Sequence, residues 1–237
     1  MKALILSDIH ANIYALEAVH RAEPDADAIY CTGDLVDYGP YPRQVIQWAR
    51  DHKLIATQGN HDRWLTANYR NGKACETMAP EERMWVHHNI SLLDDDEIQY
   101  LESLPVAMAF ELDGQGYAMT HLYREYEEIV SLDVFDRFAA QIAEGVQPAP
   151  RRLILGHTHR QAVRYLADDT LWLNPGSVSY RRPDDPDTTA HYATITDGAI
   201  SLHRVAYDLA PLQQVVRTIR LQERELAVAR RFWGLDH

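Results

Sequence analysis

The sequence predicts an α/β protein in which a mixed sheet, or two packed sheets, carries helices on the outside. Three observations lead there. Five short apolar runs each end in residues with oxygen or nitrogen ligand atoms, as expected where parallel strands gather functional groups at their carboxyl ends. The opening of the chain repeats strand, loop and helix. In the second half, Asp113-Gly114, Asp168-Asp169 and Asp197-Gly198 each separate two strand-like runs, so hairpins add an antiparallel component.

In chain order, Ala3-Leu4-Ile5-Leu6 reads as a buried strand that delivers Asp8-Ile9-His10. Ile13, Leu16, Ala18 and Val19 then share one helical face, and the helix amides after Asn12 can face an anion; Asn12 is therefore a candidate substrate-binding residue. Ala28-Ile29-Tyr30-Cys31 is a second strand and delivers Gly33-Asp34-Leu35-Val36-Asp37. A turn rich in Gly and Pro follows, then a helix with Val45, Ile46 and Ala49 toward the sheet. Leu54 to Thr57 leads into Gly59-Asn60-His61-Asp62, where an amide ligand stands beside a titratable imidazole.

From about 63 to 104 the pattern turns helical and more polar, with helix starts expected at Ala79-Pro80-Glu81-Glu82 and at Asp94-Asp95-Asp96-Glu97. This insertion either covers the site as a lid or specificity wall, or simply packs on the core. Gly116 to Thr120 ends in His121, and Leu153-Ile154-Leu155 precedes Gly156-His157-Thr158-His159, whose two imidazoles alternate and so share one side of an extended chain. A single amphipathic helix is expected from about Pro211, with Leu212, Val215, Val216, Ile219 and Leu226 on its apolar side. No linker interrupts residues 1–237, which are expected to form one domain.

Lys and Arg number 23 against 35 Asp and Glu, a formal charge of -12 that repels a nucleic-acid backbone and argues against a duplex partner. Two cysteines, Cys31 and Cys75, are too few for a disulfide framework. The first apolar run is too short for a signal peptide and none is long enough to span a bilayer. A soluble, reduced, cytoplasmic protein without membrane contact is the expectation; the composition says nothing of its oligomeric state. His20, His52, His87, His88, His191, His203 and His237 lack the strand-end setting and read as surface or packing residues.

Asp8, His10, Asp34, Asn60, His121, His157 and His159 combine hard oxygen donors with imidazoles, a set suited to divalent metals. Seven donors exceed one ion's needs; with one shared carboxylate they make two four-donor sites with positions open to water and substrate. Two such ions, about 3.5 to 4 Å apart, suit an in-line displacement at phosphorus, which makes a phosphoester the natural substrate. Singly, each block fits an ordinary loop or cap. Their shared order and setting carry the reading.

These five blocks resemble those of the calcineurin-like metallophosphoesterases, over residues 8 to 159. The resemblance implies a four-layer sandwich of two mixed sheets flanked by helices. It implies that Asp8, His10, Asp34 and His159 hold one metal and Asp34, Asn60, His121 and His157 the other, with Asp34 bridging. It also implies that His61 acts beside the metals, oriented by Asp37. The Tyr38-Gly39-Pro40 turn and Asn174-Pro175-Gly176-Ser177, followed by Arg181 and Arg182, resemble a bacterial branch related to small phosphodiesterases, with the two arginines as candidate phosphate contacts; Ala11 stands where many of those relatives carry glycine. The expected function is that of a dinuclear phosphodiesterase acting on a small nucleotide-like or glycerol-type diester. Monoester or protein-phosphate hydrolysis, or partner binding on the same fold, are the alternatives. Manganese is the expected metal, and iron, zinc or nickel suit the same donors.

Overall fold

Alternation along β1 (Lys2–Leu6) decides the layering: Leu4 and Leu6 join one apolar cluster, Ala3 and Ile5 another, and all four are buried. A strand buried on both faces needs a layer on each side. In this computed structural model, which describes residues 1–72, 78–144, 149–179, 182, 184–185 and 187–235, those layers are helices on one face and a second sheet on the other. The first sheet runs, edge to edge, through β10 (Ala199–Val205), β9 (Ala190–Thr196), β1, β2 (Ala28–Cys31) and β3 (Ile55–Ala56). Its β1, β2 and β3 are parallel, while β9 joins β1 antiparallel. The second sheet runs β4 (Ala107–Leu112), β5 (Gln115–Thr120), β6 (Arg152–Ile154), β8 (Leu171–Asn174), β7 (Ala162–Tyr165). There β5, β6 and β8 are parallel, with antiparallel neighbours β4 and β7 at the two edges.

Between the sheets, Ala3, Ile5, Tyr30, Ala193 and Ile195 meet Tyr117, Met119, Ile154, Leu171 and Leu173. Outside the first sheet lie α1 (Ile13–Ala22), α2 (Pro42–Asp51), α3 (Asn60–Arg70), α4 (Trp85–Leu92) and α5 (Asp95–Ser103). Outside the second lies α6 (Leu132–Ile142), whose Phe135 and Ala139 meet Leu153, Leu155 and Trp172. Each fully buried Leu, Ile or Phe in these layers contributes roughly 1.5–3 kcal/mol. The mixed, four-layer arrangement expected from the sequence is the one observed. All three hairpins form, and in two of them both turn residues (Asp113 and Gly114, Asp197 and Gly198) are left-handed, the conformation that a two-residue hairpin turn needs.

Two helix expectations need correction. Pro80–Glu82 is only a single 3-10 turn; Arg83 and Met84 are extended, so α4 starts at Trp85 and buries that ring completely. The closing helix is two: α7 (Ala210–Thr218) and α8 (Glu223–Phe232). They separate because Gln222 bonds the Arg83 and Glu82 carbonyls and Leu221 turns inward, which lets Phe232 and Trp233 pack with Leu212 around Trp85. The Asp94 start is as expected, its side chain accepting from Asp96 and Glu97 while Glu97 reaches back to the Asp94 amide. Within the insertion, Val86, Ile90, Leu93, Ile98 and Leu101 belong to the main core, so its described helices form a packed wall. No helix among the described residues is long and apolar enough to cross a membrane.

Candidate metal centre

Every expected metal donor lies just past the carboxyl end of a strand, and the two sheets share the work. β1, β2 and β3 of the first sheet lead to Asp8 and His10, to Asp34, and to Asn60 at the start of α3; β5 and β6 of the second lead to His121 and to His157 and His159. The first two loops are laced by their backbones, with Asp8 N, His10 N and Ala11 N donating to the carbonyls of Gly33, Asp34 and Leu35 at 2.9–3.0 Å. Asp8, His10, Ala11, Asp34, Asp37, Tyr38, His157 and His159 all have left-handed backbones, φ 46–71°. Such conformations are costly for residues with a Cβ and persist where the surroundings over-determine them, as at binding sites.

Asp62 is the hub of this construction. Its buried carboxylate accepts from the backbone N–H groups of Asp34, Leu35, Val36 and Gly59 at 2.9–3.2 Å, tying the β2 loop to the start of α3. Burial, reinforced by the nearby charge of Asp34, pushes its pKa up to about 6 even against those donors. A Cβ on Gly59 would lie 2.0 Å from Asp34 Oδ1, so this close crossing requires glycine.

The donor atoms converge in two overlapping groups, Asp8 with His10 and His159, and Asp8 with Asp34 and His121, each within 4.8 Å. His159 Nε2 is 3.0 Å from Asp8 Oδ1, His121 Nε2 is 3.0 Å from Asp34 Oδ2, and His10 Nε2 is 3.9 Å from both carboxylates. Both carboxylates reach an imidazole of each expected metal set within 3.9 Å, Asp34 through His10 and His121 and Asp8 through His159 and His121, and Asp8 is the residue common to the two groups. His157 Nδ1 lies 3.0 Å from Asn60 Oδ1, which joins those two donors. Asp8 is held from behind, its Oδ2 accepting from Ser7 Oγ and from His157 N.

These residues fit divalent ions. Among the described residues, the buried His157 Nε2 makes no hydrogen bond, a costly state for a polar group that a metal resolves, while the close carboxylate–imidazole contacts of Asp8 and Asp34 gather further donor atoms beside it. Burial pushes the His10 pKa down to about 4, leaving a neutral imidazole ready to ligate. Burial alone would raise Asp8, but His159 and His121 outweigh it and hold the acid at about 2; His121 likewise overrides burial at Asp34 and keeps it well below the usual carboxylate range. Both acids are therefore anionic at neutral pH.

His61 stands beside this cluster with Nδ1 2.7 Å from Asp37 Oδ2. Burial lowers its pKa, yet the bond to Asp37 and the charge of Asp34 prevail and raise it to about 9. Asp37 is fixed in turn by Asn89 of α4, which accepts from Asp37 N and donates to the carbonyls of Gly39 and Trp85. A cavity of about 140 Å³ opens here, lined by Asp34, Tyr38, His61, Tyr126, His157, Thr158, His159 and Arg182. A larger groove of about 670 Å³ lies between α1, α2 and α5 and contains none of these groups.

A family model of the calcineurin-like phosphoesterase superfamily domain matches residues 1–197. The chain belongs to that superfamily. It is a phosphoric ester hydrolase whose family and donor groups point to divalent metals. Among solved structures it is similar to a metallophosphoesterase of Sphaerobacter thermophilus, 28% identical, with 97% and 98% of the two chains covered and a TM-score of 0.74. A Pyrococcus horikoshii protein of 14% identity shares the fold at a TM-score of 0.76, over 96% and 97% of the two chains. An uncharacterised protein of Methanocaldococcus jannaschii is 25% identical over 241 residues, 92% of this chain and 93% of its own. A symmetrical bis(5'-nucleosyl)-tetraphosphatase of Chromobacterium violaceum is 28% identical over 149 residues, 62% of this chain and half of that enzyme.

The phosphoesterase places its expected substrate-binding residues differently from one another. Asn12 turns inward: its side chain accepts from Ala15 N, donates to Ser179 Oγ and is fully buried, so it caps α1 instead of facing the cleft. Arg182 lines the cleft, anchored through Nη1 to the Thr158 carbonyl at 2.6 Å and through Nε to Asp184 at 3.1 Å. Arg181 lies outside the described residues, as does Cys75. Sequence reasoning missed Asp62, Asn89 and Tyr126. For Asp62 the signal was present, since an acid three residues after Gly59 at a helix start is a capping position; for the other two there was none.

Proposed function

We propose that this phosphoesterase is a phosphodiesterase of small diesters that uses two divalent ions, with Asp34 shared between them. Asp8, His10, Asp34 and His159 hold one ion, and Asp34, Asn60, His121 and His157 hold the other. When bound, such ions supply Lewis acidity at the phosphoryl oxygens and activate water. Manganese, iron, zinc and nickel all suit the donors.

The observation that carries the reading is the His61–Asp37 pair at the edge of the donor cluster. An alkoxide leaves poorly unless it receives a proton, and an imidazole kept protonated by a carboxylate can give one. Asp37 orients and charges His61, Asn89 holds Asp37, and His61 donates toward the departing oxygen. Arg182, anchored on Thr158 and paired with Asp184, lines the cleft and is the candidate phosphate contact. Resemblance to a bis(5'-nucleosyl)-tetraphosphatase over part of the chain supports a substrate that carries nucleosyl groups.

The test compares leaving groups. His61→Ala should lose about 10²- to 10⁴-fold on alkyl diesters, and far less on p-nitrophenyl diesters, with metal content unchanged. Equal losses on both would remove the general-acid role. Turnover of monoesters but not diesters, across each of the four metals, would replace the diester assignment.

A further inference from the structure

Tyr126 is not one of the expected ligands, yet it lines the cleft, stacked on His157 with ring centroids 5.2 Å apart and planes at 24°. It is also 72% exposed, so most of its ring remains uncovered at the cleft mouth. A large aromatic side chain so exposed is held there by local construction. Arg124 and Glu127 form an isolated bridge around it, with Glu127 N donating to the Arg124 carbonyl at 2.7 Å and Glu125 in a left-handed conformation. The segment is anchored below by Trp172 Nε1, which donates to the Ile129 carbonyl at 2.8 Å. The backbone beneath the ring is thus anchored, and the ring itself is oriented by its stacking on His157, a candidate metal donor.

We propose that Tyr126 is a stacking platform for a planar ring in the substrate's organic group, and hence that the esterified alcohol carries a planar base, as a nucleoside does, rather than being glycerol. The proposal rests on the phosphoester site described above and decides between the two kinds of organic group that site could admit. Charge does not oppose it: Arg124 pairs with Glu127 and Arg164 with Glu128, so the segment around the ring carries little net charge and tolerates a neutral base. Base-on-aromatic stacking is worth about 1–3 kcal/mol, so losing the ring corresponds to about 5- to 150-fold in affinity.

The experiment uses the metal-loaded enzyme with matched pairs: adenosine and glycerol esters, each as a methyl phosphodiester and as a monophosphate. Tyr126→Ala should raise KM for the adenosine compounds about tenfold or more and leave glycerol compounds unchanged, with kcat and metal content retained; Tyr126→Trp should restore the low KM. Equilibrium binding of adenosine monophosphate and glycerol phosphate provides a readout independent of turnover, and only the former should weaken. Equal KM for adenosine and glycerol compounds in the wild type overturns the proposal, as does an equal loss on both in Tyr126→Ala, the mark of a ring that merely supports His157. Activity confined to monoesters overturns the diester reading alone, since the adenosine-to-glycerol ratio still reads Tyr126.

Discussion

Asp62 shows how much of the site depends on a residue outside the expected donor set. Replacing it with Ala leaves four buried N–H groups without their acceptor, each costing about 1–3 kcal/mol, so Asp62→Ala should fold poorly and Asp62→Asn should lose several kcal/mol in urea unfolding. A loss below about 1 kcal/mol in Asp62→Asn would show that the loops hold themselves. Asp34→Asn tests the proposal that this carboxylate is shared by two ions: on that reading both should weaken together in elemental analysis, and two retained ions with full activity would refute the bridge. In the metal-free protein the charge of Asp34 outweighs burial and raises the His121 pKa to about 9, so a metal must displace a proton there. Apparent metal affinity should therefore rise by up to about tenfold per pH unit between pH 6.5 and 9. The stability that His121 gives the metal-free protein runs the other way, full below about 6.5 and lost as pH rises through 9. Titration in buffers of different ionisation enthalpy reads the released proton directly. The clustered candidate donors were legible in the sequence because chemistry-bearing side chains recur after apolar runs. Asn89 was not, since its partner Asp37 is 52 residues away and a hydrogen bond over that distance leaves no periodic trace.

At the scale of elements, strands and hairpins were readable because burial and turn chemistry act over a few residues. Helix ends were less so: the break between α7 and α8 is made by Arg83 and Glu82, about 140 residues earlier, accepting hydrogen bonds from Gln222. That contact gives the C-terminal helices a bearing on the site. Phe232 of α8 is fully buried and stands edge-on to Tyr38 at 5.9 Å, and Tyr38 is 4.8 Å from His61. Phe232→Ala should cost about 3–5 kcal/mol in unfolding free energy. It should also lower kcat while KM stays near the wild-type value, because the wall behind His61 loosens; an unchanged kcat would show that α8 supports the fold alone.

At the scale of the molecule, the centre spans the seam between the sheets: Asp8, His10, Asp34 and Asn60 belong to one, His121, His157 and His159 to the other. Chelation should lower the midpoint of thermal unfolding, by an amount that grows with the free metal concentration it removes. A subtler consequence concerns time. With ions in place, an unfolding route that parts the sheets must first strip ligands from a metal, and reassociation of a lost ion repairs the breach. Native lifetime then follows the rate at which the ion escapes, not the strength of the apolar contacts between sheets. After a jump into urea with excess chelator, the unfolding rate should level off at the ion's dissociation rate and stop responding to further denaturant. The site would then act as a clock for the fold as well as a place for chemistry.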